Sequence, residues 1–211
     1  MKKKLNFIFI LTILVFIYIA LLSFNYSKAI SSNLSDSVFR LHIIANSDSS
    51  ADQELKLKVR DKIIEYMNTL TSNSSDKKDV ISIVNNHLDS FKEIALNTIK
   101  ENGYNYDVKI GIDYSEFPTK QYSNVVLPAG EYKALKIIIG EGSGKNWWCV
   151  MFPPLCFVDE EKGIIDKDTD DKLREVLTEE EYNLIAQKTS NQTNRVQIKF
   201  KIVEIVQNIV K

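Results

Sequence analysis

Val38-Phe-Arg-Leu-His-Ile-Ile-Ala-Asn-Ser-Asp-Ser-Ser-Ala-Asp-Gln53 holds the first two elements of the fold and the break between them. Val38 to Ala45 mixes β-branched and aromatic residues in the manner of a buried strand. Asn46 to Ser50 are polar throughout and end it. Ser50 and Gln53 form a capping-box signature, which predicts a helix to about Leu70. Leu55, Val59, Ile63, Met67 and Leu70 follow at spacings of four and three, so they share one face of that helix.

Downstream, Thr71 to Lys78 reads as a turn, and a second stripe at Val80, Val84, Leu88, Phe91, Ala95 and Ile99 predicts another helix. Gly103 stands where a left-handed residue ends a helix. From Tyr104 the period becomes two, with Tyr106, Val108, Ile110, Ile112 and Tyr114 on one side of a strand. Glu131 to Ile139 and Asn146 to Phe152 are further strands, joined by Gly140-Glu-Gly-Ser-Gly144, which reads as a hairpin turn. Pro153-Pro154 ends the second, because proline cannot donate to a ladder. Thr178 and Glu181 form another capping box, opening a helix to about Lys188. Val196 to Val210 fits a helical stripe, although Val196, Ile198 and Phe200 also alternate as in a strand. The order describes an α+β domain with a small antiparallel or mixed sheet and about four helices.

Upstream, Met1-Lys-Lys-Lys4 precedes an apolar run from Leu5 to Phe24 and the small-residue step Ser27-Lys28-Ala29. This is a secretory signal, yet its run of roughly 20 residues is also about the length that spans a bilayer. Cleaved peptide and uncleaved anchor are both open. Residues 1–29 are thus a signal peptide or membrane anchor, 30–37 a polar linker, and 38–211 a domain facing outward. The chain of 211 residues, 44% hydrophobic, suffices for one core after the leader is set aside. Its net charge is −1, but the first 29 residues carry four lysines and no acid, which leaves the remainder at about −5. An acidic exterior argues against nucleic acid, which needs a basic footprint.

No chemistry is assembled by motif. Gly140-Glu-Gly-Ser-Gly-Lys145 has three residues before its Gly-Lys pair where a phosphate loop needs four, and Asn146 stands in place of the required hydroxyl. Loops starting at Asn46 or Asp166 lack the glycine and the closing glutamate of a calcium site. An exported thiol hydrolase would draw on Cys149, His42 and Asp48, but His42 shares its strand with Phe39 and Leu41 and reads rather as a half-buried structural histidine. Neither a metal nor a cofactor is expected. Cys149 and Cys156, on the exported side, form either a short-loop bridge or two buried thiols.

Asn146-Trp-Trp-Cys-Val-Met-Phe-Pro-Pro-Leu-Cys-Phe157 gathers both tryptophans and both cysteines of the chain. It is read either as a binding anchor or as a core strand entering a rigid turn. This stretch, with Arg40-Leu-His-Ile-Ile-Ala-Asn-Ser-Asp48, Asp52-Gln53 and Leu55-Lys-Leu-Lys-Val-Arg-Asp61, resembles the stage II sporulation protein R family. The resemblance runs from about Phe39 to the C-terminus. It implies a signal made in the forespore and exported to the space between forespore and mother-cell membranes. There it would activate a membrane-embedded aspartic protease that cuts the sigma-E precursor. The family brings no catalytic residues to carry over. The surface meeting the protease is expected where the turn Asn46 to Asp52 nears Asn146 to Pro154. Asn46, Asp48, Asp52, Asn146, Trp147, Trp148, Pro153 and Pro154 are its expected members.

Overall fold

The computed structural model describes residues 2–72, 74, 76–156, 165 and 167–186. Its elements are α1 (Lys2–Ser37), β1 (Phe39–Ile44), α2 (Ser50–Thr71), α3 (Lys77–Asn86), α4 (Leu88–Glu101), β2 (Val108–Phe117), β3 (Lys120–Tyr122), β4 (Val125–Leu127), β5 (Gly130–Ile139), β6 (Asn146–Phe152), α5 (Lys167–Val176) and α6 (Glu179–Ile185). One mixed sheet runs in the order β2-β5-β1-β6, and β3 pairs with β4 separately. β1 is parallel to β5 and antiparallel to β6, while β2 is antiparallel to β5.

Alternation along the strands sends Leu41, Ile43, Leu135 and Ile137 to one face of the sheet, where they are fully buried. Leu55, Val59 and Ile63 of α2 and Phe91, Ala95 and Ile99 of α4 complete that core. Burying a large aliphatic side chain of this kind contributes about 1.5–3 kcal/mol. The opposite face is covered at one end by β3 and β4, whose Tyr122, Val125 and Leu127 are buried. Val125 is bridged to Ala186 just beyond α6. α5 and α6 are tied together by the Tyr182 hydroxyl, which donates to Asp170 and accepts from Arg174 Nη2 at 2.8 Å.

The α+β class, the strand at 39–44 and the strand at 146–152 stand as the sequence indicates. Five helices, not about four, follow α1 among the described residues. The second apolar stripe is divided between α3 and α4, because His87 leaves the helical region (φ −118) and its Nδ1 turns to the Ile83 carbonyl at 2.8 Å. Apolar spacing of four continues across that break and conceals it. The cap of α2 is Ser49, whose Oγ accepts from the Asp52 amide at 3.1 Å, and not Ser50. Gln53 donates to the Ser47 carbonyl and so does not close a capping box. The box at Thr178 is complete, although α6 ends at Ile185. α5 buries only Thr169 and Leu173, too little apolar signal in an acidic stretch to mark a helix.

The glycine segment is not a hairpin turn. β5 and β6 are separated by β1, so Gly140 to Lys145 crosses over the end of β1. Residues 30–37, expected as a linker, are helical; Leu34 is buried, and Lys77 Nζ donates to the carbonyls of Ser35 and Asp36 at 2.7 and 3.1 Å. Among the described residues no helix is long and apolar enough to cross a membrane, so the anchor expected at 1–29 rests on the sequence. The stripe at Val196 to Val210 and the calcium-like start at Asp166 lie outside the described residues.

Candidate functional site

Where β1 ends, the polar turn and the glycine loop interlock. Gly144 N donates to the Ala45 carbonyl at 3.0 Å, and Ser143 donates to the Asn46 carbonyl through both its amide (3.2 Å) and its hydroxyl (2.7 Å). Asn46 Oδ1 accepts from the Glu141 amide at 3.0 Å, and Asp48 Oδ1 from the Lys145 amide at 2.7 Å. Beneath them, buried Asp52 accepts from Asn46 Nδ2 at 2.9 Å and Ser47 Oγ at 2.5 Å. Burial pushes the Asp52 carboxyl up, but the bonds from Ser47, Asn46, Tyr106 and Ser49 outweigh it and hold the group below its ordinary value. Lys56, also buried, donates to Gln53 Oε1 at 2.6 Å and the Lys145 carbonyl at 3.0 Å. Burial holds its ammonium below the usual lysine range.

The polar run after β1 does more than end the strand. Asn46, Ser47, Asp48 and Ser49 each bind the loop, Asp52 or the helix start. Their first role is to close one end of the sheet.

β6 splits the tryptophan pair. Trp147 turns to the helix face, under the Arg60 guanidinium at 4.2 Å from the ring centroid. Trp148 turns to the other face, stacked on His42 with centroids 6.1 Å apart and with Lys120 Nζ 5.6 Å from its ring. Both are half-buried, and both indole N–H groups are buried without a partner. His42 Nε2 donates to Asn146 Oδ1 at 2.7 Å, which leaves buried Nδ1 as an unpaired acceptor. Burial holds the His42 pKa below its ordinary value; Lys136 and Arg40 add to this, and the Asn146 bond opposes it.

Next along β1, Arg40 is fully buried, an arrangement that an arginine inside an apolar strand could have signalled and that the sequence reading passed over. Its guanidinium stacks 3.9 Å from Phe117 and 4.6 Å from Tyr132, while Nη2 donates to Tyr122 Oη at 2.8 Å.

The expected site therefore comes together only in part. Asn46, Asp48, Asp52, Asn146, Trp147 and Trp148 share the glycine-loop end of the sheet. Pro153 and Pro154 follow the opposite end of β6, about 20 Å away at strand rise. Cys149 and Cys156 form a disulfide with Cα atoms 5.3 Å apart. Cys149 pairs with Leu41 on the helix face, whereas His42 stacks on Trp148 on the other. With its sulfur bonded and its histidine across the sheet, Cys149 is not arranged as a nucleophile. Among the described residues no group of three or more His, Cys, Asp or Glu side chains is placed to hold a metal ion.

The model of the stage II sporulation protein R family matches residues 35–162. A curated protein of that name from Bacillus subtilis (strain 168) is 36% identical over 185 residues, covering 82% of this chain and 82% of the relative. No solved structure matches the chain.

Proposed function

Since the chain belongs to the stage II sporulation protein R family, we propose that it is an exported signal that activates a membrane-embedded aspartic protease, leading to cleavage of the sigma-E precursor. The observation that carries this reading is the family match itself, which spans both sequence hallmarks, 40–61 and 146–157. Membership places the protein in sporulation; the protease, the precursor and the compartment are our reading.

Two further observations support a role outside the cytosol. A disulfide between Cys149 and Cys156 suits an oxidising compartment. α1 opens on Lys2, Lys3 and Lys4 and exposes Phe7, Phe9 and Phe16 by about two-thirds, a surface that water does not favour. Tethering by that helix would hold the domain beside a membrane protease.

The test is co-expression of the full chain with the protease and the sigma-E precursor in a non-sporulating host. Cleavage that depends on this chain is expected. Precursor left intact beside a folded, exported chain overturns the reading. A domain beginning after Ala29, given another secretion signal, should also act, whereas the same domain held in the signalling cell's cytosol should not.

A further inference from the structure

β2 forms one edge of the sheet, and among the described residues no strand pairs with its outer side. In an antiparallel ladder successive residues turn their N–H and C=O groups alternately to one neighbour and to the other. The Asp107 carbonyl accepts from the Gly140 amide at 2.9 Å, on the β5 side, so the even-numbered residues of β2 turn their backbone groups outward. Two of these amides are held within the strand: Asp107 Oδ1 accepts from Val108 N and Asp113 Oδ1 from Tyr114 N, each at 2.8 Å. Between them, the N–H and C=O groups of Ile110 and Ile112 face outward on either side of Gly111.

The other edge, β6, is closed from outside: Leu155 N donates to the Val150 carbonyl at 3.1 Å, and the Tyr122 hydroxyl to the Trp148 carbonyl at 3.3 Å. β2 has no such cover, no proline and no bulge. Charges commonly guard an open edge, and β2 carries Lys109 and Asp113, both exposed and neither in a salt bridge among the described residues. These two are opposite in sign and stand symmetrically about Gly111, where an added Cβ would meet nothing within 4 Å. On the other face Ile110 and Ile112 share the side of their buried partners Ile137 and Leu135, yet they are only half-buried. Exposed Tyr114 extends that apolar strip.

From this symmetry we propose that the outer edge of β2 pairs antiparallel with the same edge of a second copy of this chain, on a twofold axis at Gly111. Ile110 of each copy then exchanges both backbone hydrogen bonds with Ile112 of the other. Lys109 faces Asp113, whose Oδ1 keeps the Tyr114 amide and whose Oδ2 is left for the lysine. The ion pairs lie on one face of the joined sheet and the isoleucines meet on the other. Neighbouring registers fail on charge. An axis at Ile110 sets Asp113 against Asp107 and Lys109 against Gly111; an axis at Ile112 sets Lys109 against Ser115 and Asp113 against Gly111. An axis at Lys109 or Asp113 sets that charge against itself. Another protein's strand could meet the same backbone groups, but only self-pairing accounts for opposite charges placed symmetrically about a glycine. A seam this short gives a reversible dimer and not an obligate one. The pairing needs neither protease nor precursor, so it stands or falls apart from the activator reading.

Sedimentation equilibrium of the full chain in mild detergent tests it, and a reversible monomer–dimer equilibrium is expected. Lys109→Asp and Asp113→Lys each set like charges opposite one another and should weaken the dimer about fivefold or more. Combined in one chain they should restore it to within about twofold of the unaltered protein. Both side chains are exposed, so the fold should survive each change, which the melting temperature checks. Gly111→Cys locates the axis. Two copies of residue 111 would have their Cα atoms about 4.5 Å apart, within disulfide range. Copper-catalysed air oxidation should therefore link this variant to itself far faster than Glu65→Cys, on the exposed side of α2. A chain that stays monomeric at its highest soluble concentration overturns the assignment. A dimer that both charge reversals leave intact does so too, since the contact then lies elsewhere, α1 included. Gly111→Cys linking no faster than Glu65→Cys has the same consequence.

Discussion

Asn46 occupies the space that a side chain on Gly140 would need, for its Oδ1 lies 2.2 Å from the position of a Cβ there. The same oxygen accepts from the Glu141 amide at 3.0 Å, so contact and hydrogen bond are one arrangement. Gly144 repeats it, with an ideal Cβ 2.2 Å from the Ser47 carbonyl oxygen. The glycine loop is therefore glycine-rich because the end of β1 passes beneath it, and the polar turn is polar because that loop needs partners.

Gly140→Ala should destabilise the protein by on the order of 1–2 kcal/mol from the left-handed backbone alone, with the Asn46 contact adding to it. Urea unfolding of Gly140→Ala and of Gly103→Ala separates the two effects. Gly103 is also left-handed (φ 84) but has nothing within 4 Å of a Cβ, so it should lose less.

Cys149→Ser and Cys156→Ser should each lower stability by about 2–3 kcal/mol, the value for closing a short loop in the unfolded chain. The double variant should lose no more than either single one, since one bond is removed in each case. Mass spectrometry of the unreduced exported chain checks the premise; two alkylatable thiols would rule it out.

His42 gives stability a pH dependence of definite sign. Its folded pKa is lowered, mainly by burial, so the unfolded chain binds the proton more readily. The contribution is fully present above the unfolded value of about 6.5 and is lost as pH falls from there through the lower folded value. Unfolding midpoints at pH 7.5 and 5.5 should differ more for the unaltered chain than for His42→Gln. Equal differences would show that the histidine is not the sensor.

Arg40→Lys should destabilise by about 1–3 kcal/mol despite keeping the charge. An ammonium has no plane to lie on Phe117 and Tyr132, and it reaches Tyr122 without the fork geometry. Urea unfolding measures the loss, and Tyr122→Phe should cost about 1–2 kcal/mol, since it removes the acceptor of Arg40 and the bond its hydroxyl donates to the Trp148 carbonyl at 3.3 Å.

Local chemistry made much of this protein legible before any coordinates. The strand before Asn46, the bounds of Asn146 to Phe152, the left-handed Gly103 and the Thr178 capping box each depend on neighbours within a few residues. Both hallmarks of the family lie in such stretches, so kinship too was visible in the residues. β3 and β4, three residues each, were too short to show a period, and α5 too poor in apolar residues. What only the tertiary structure decided is the placement of β1 between β5 and β6. That strand order turns an expected hairpin into a crossover, commits Asn46 and Asp48 to a loop nearly 100 residues away, and parts Cys149 from His42. It also lines up Gly111, Lys136, His42 and Trp148 in one row. The physical reason is that backbone hydrogen bonds between strands are chemically alike at every position, so partner choice is settled by which apolar faces bury together and not by any local signal.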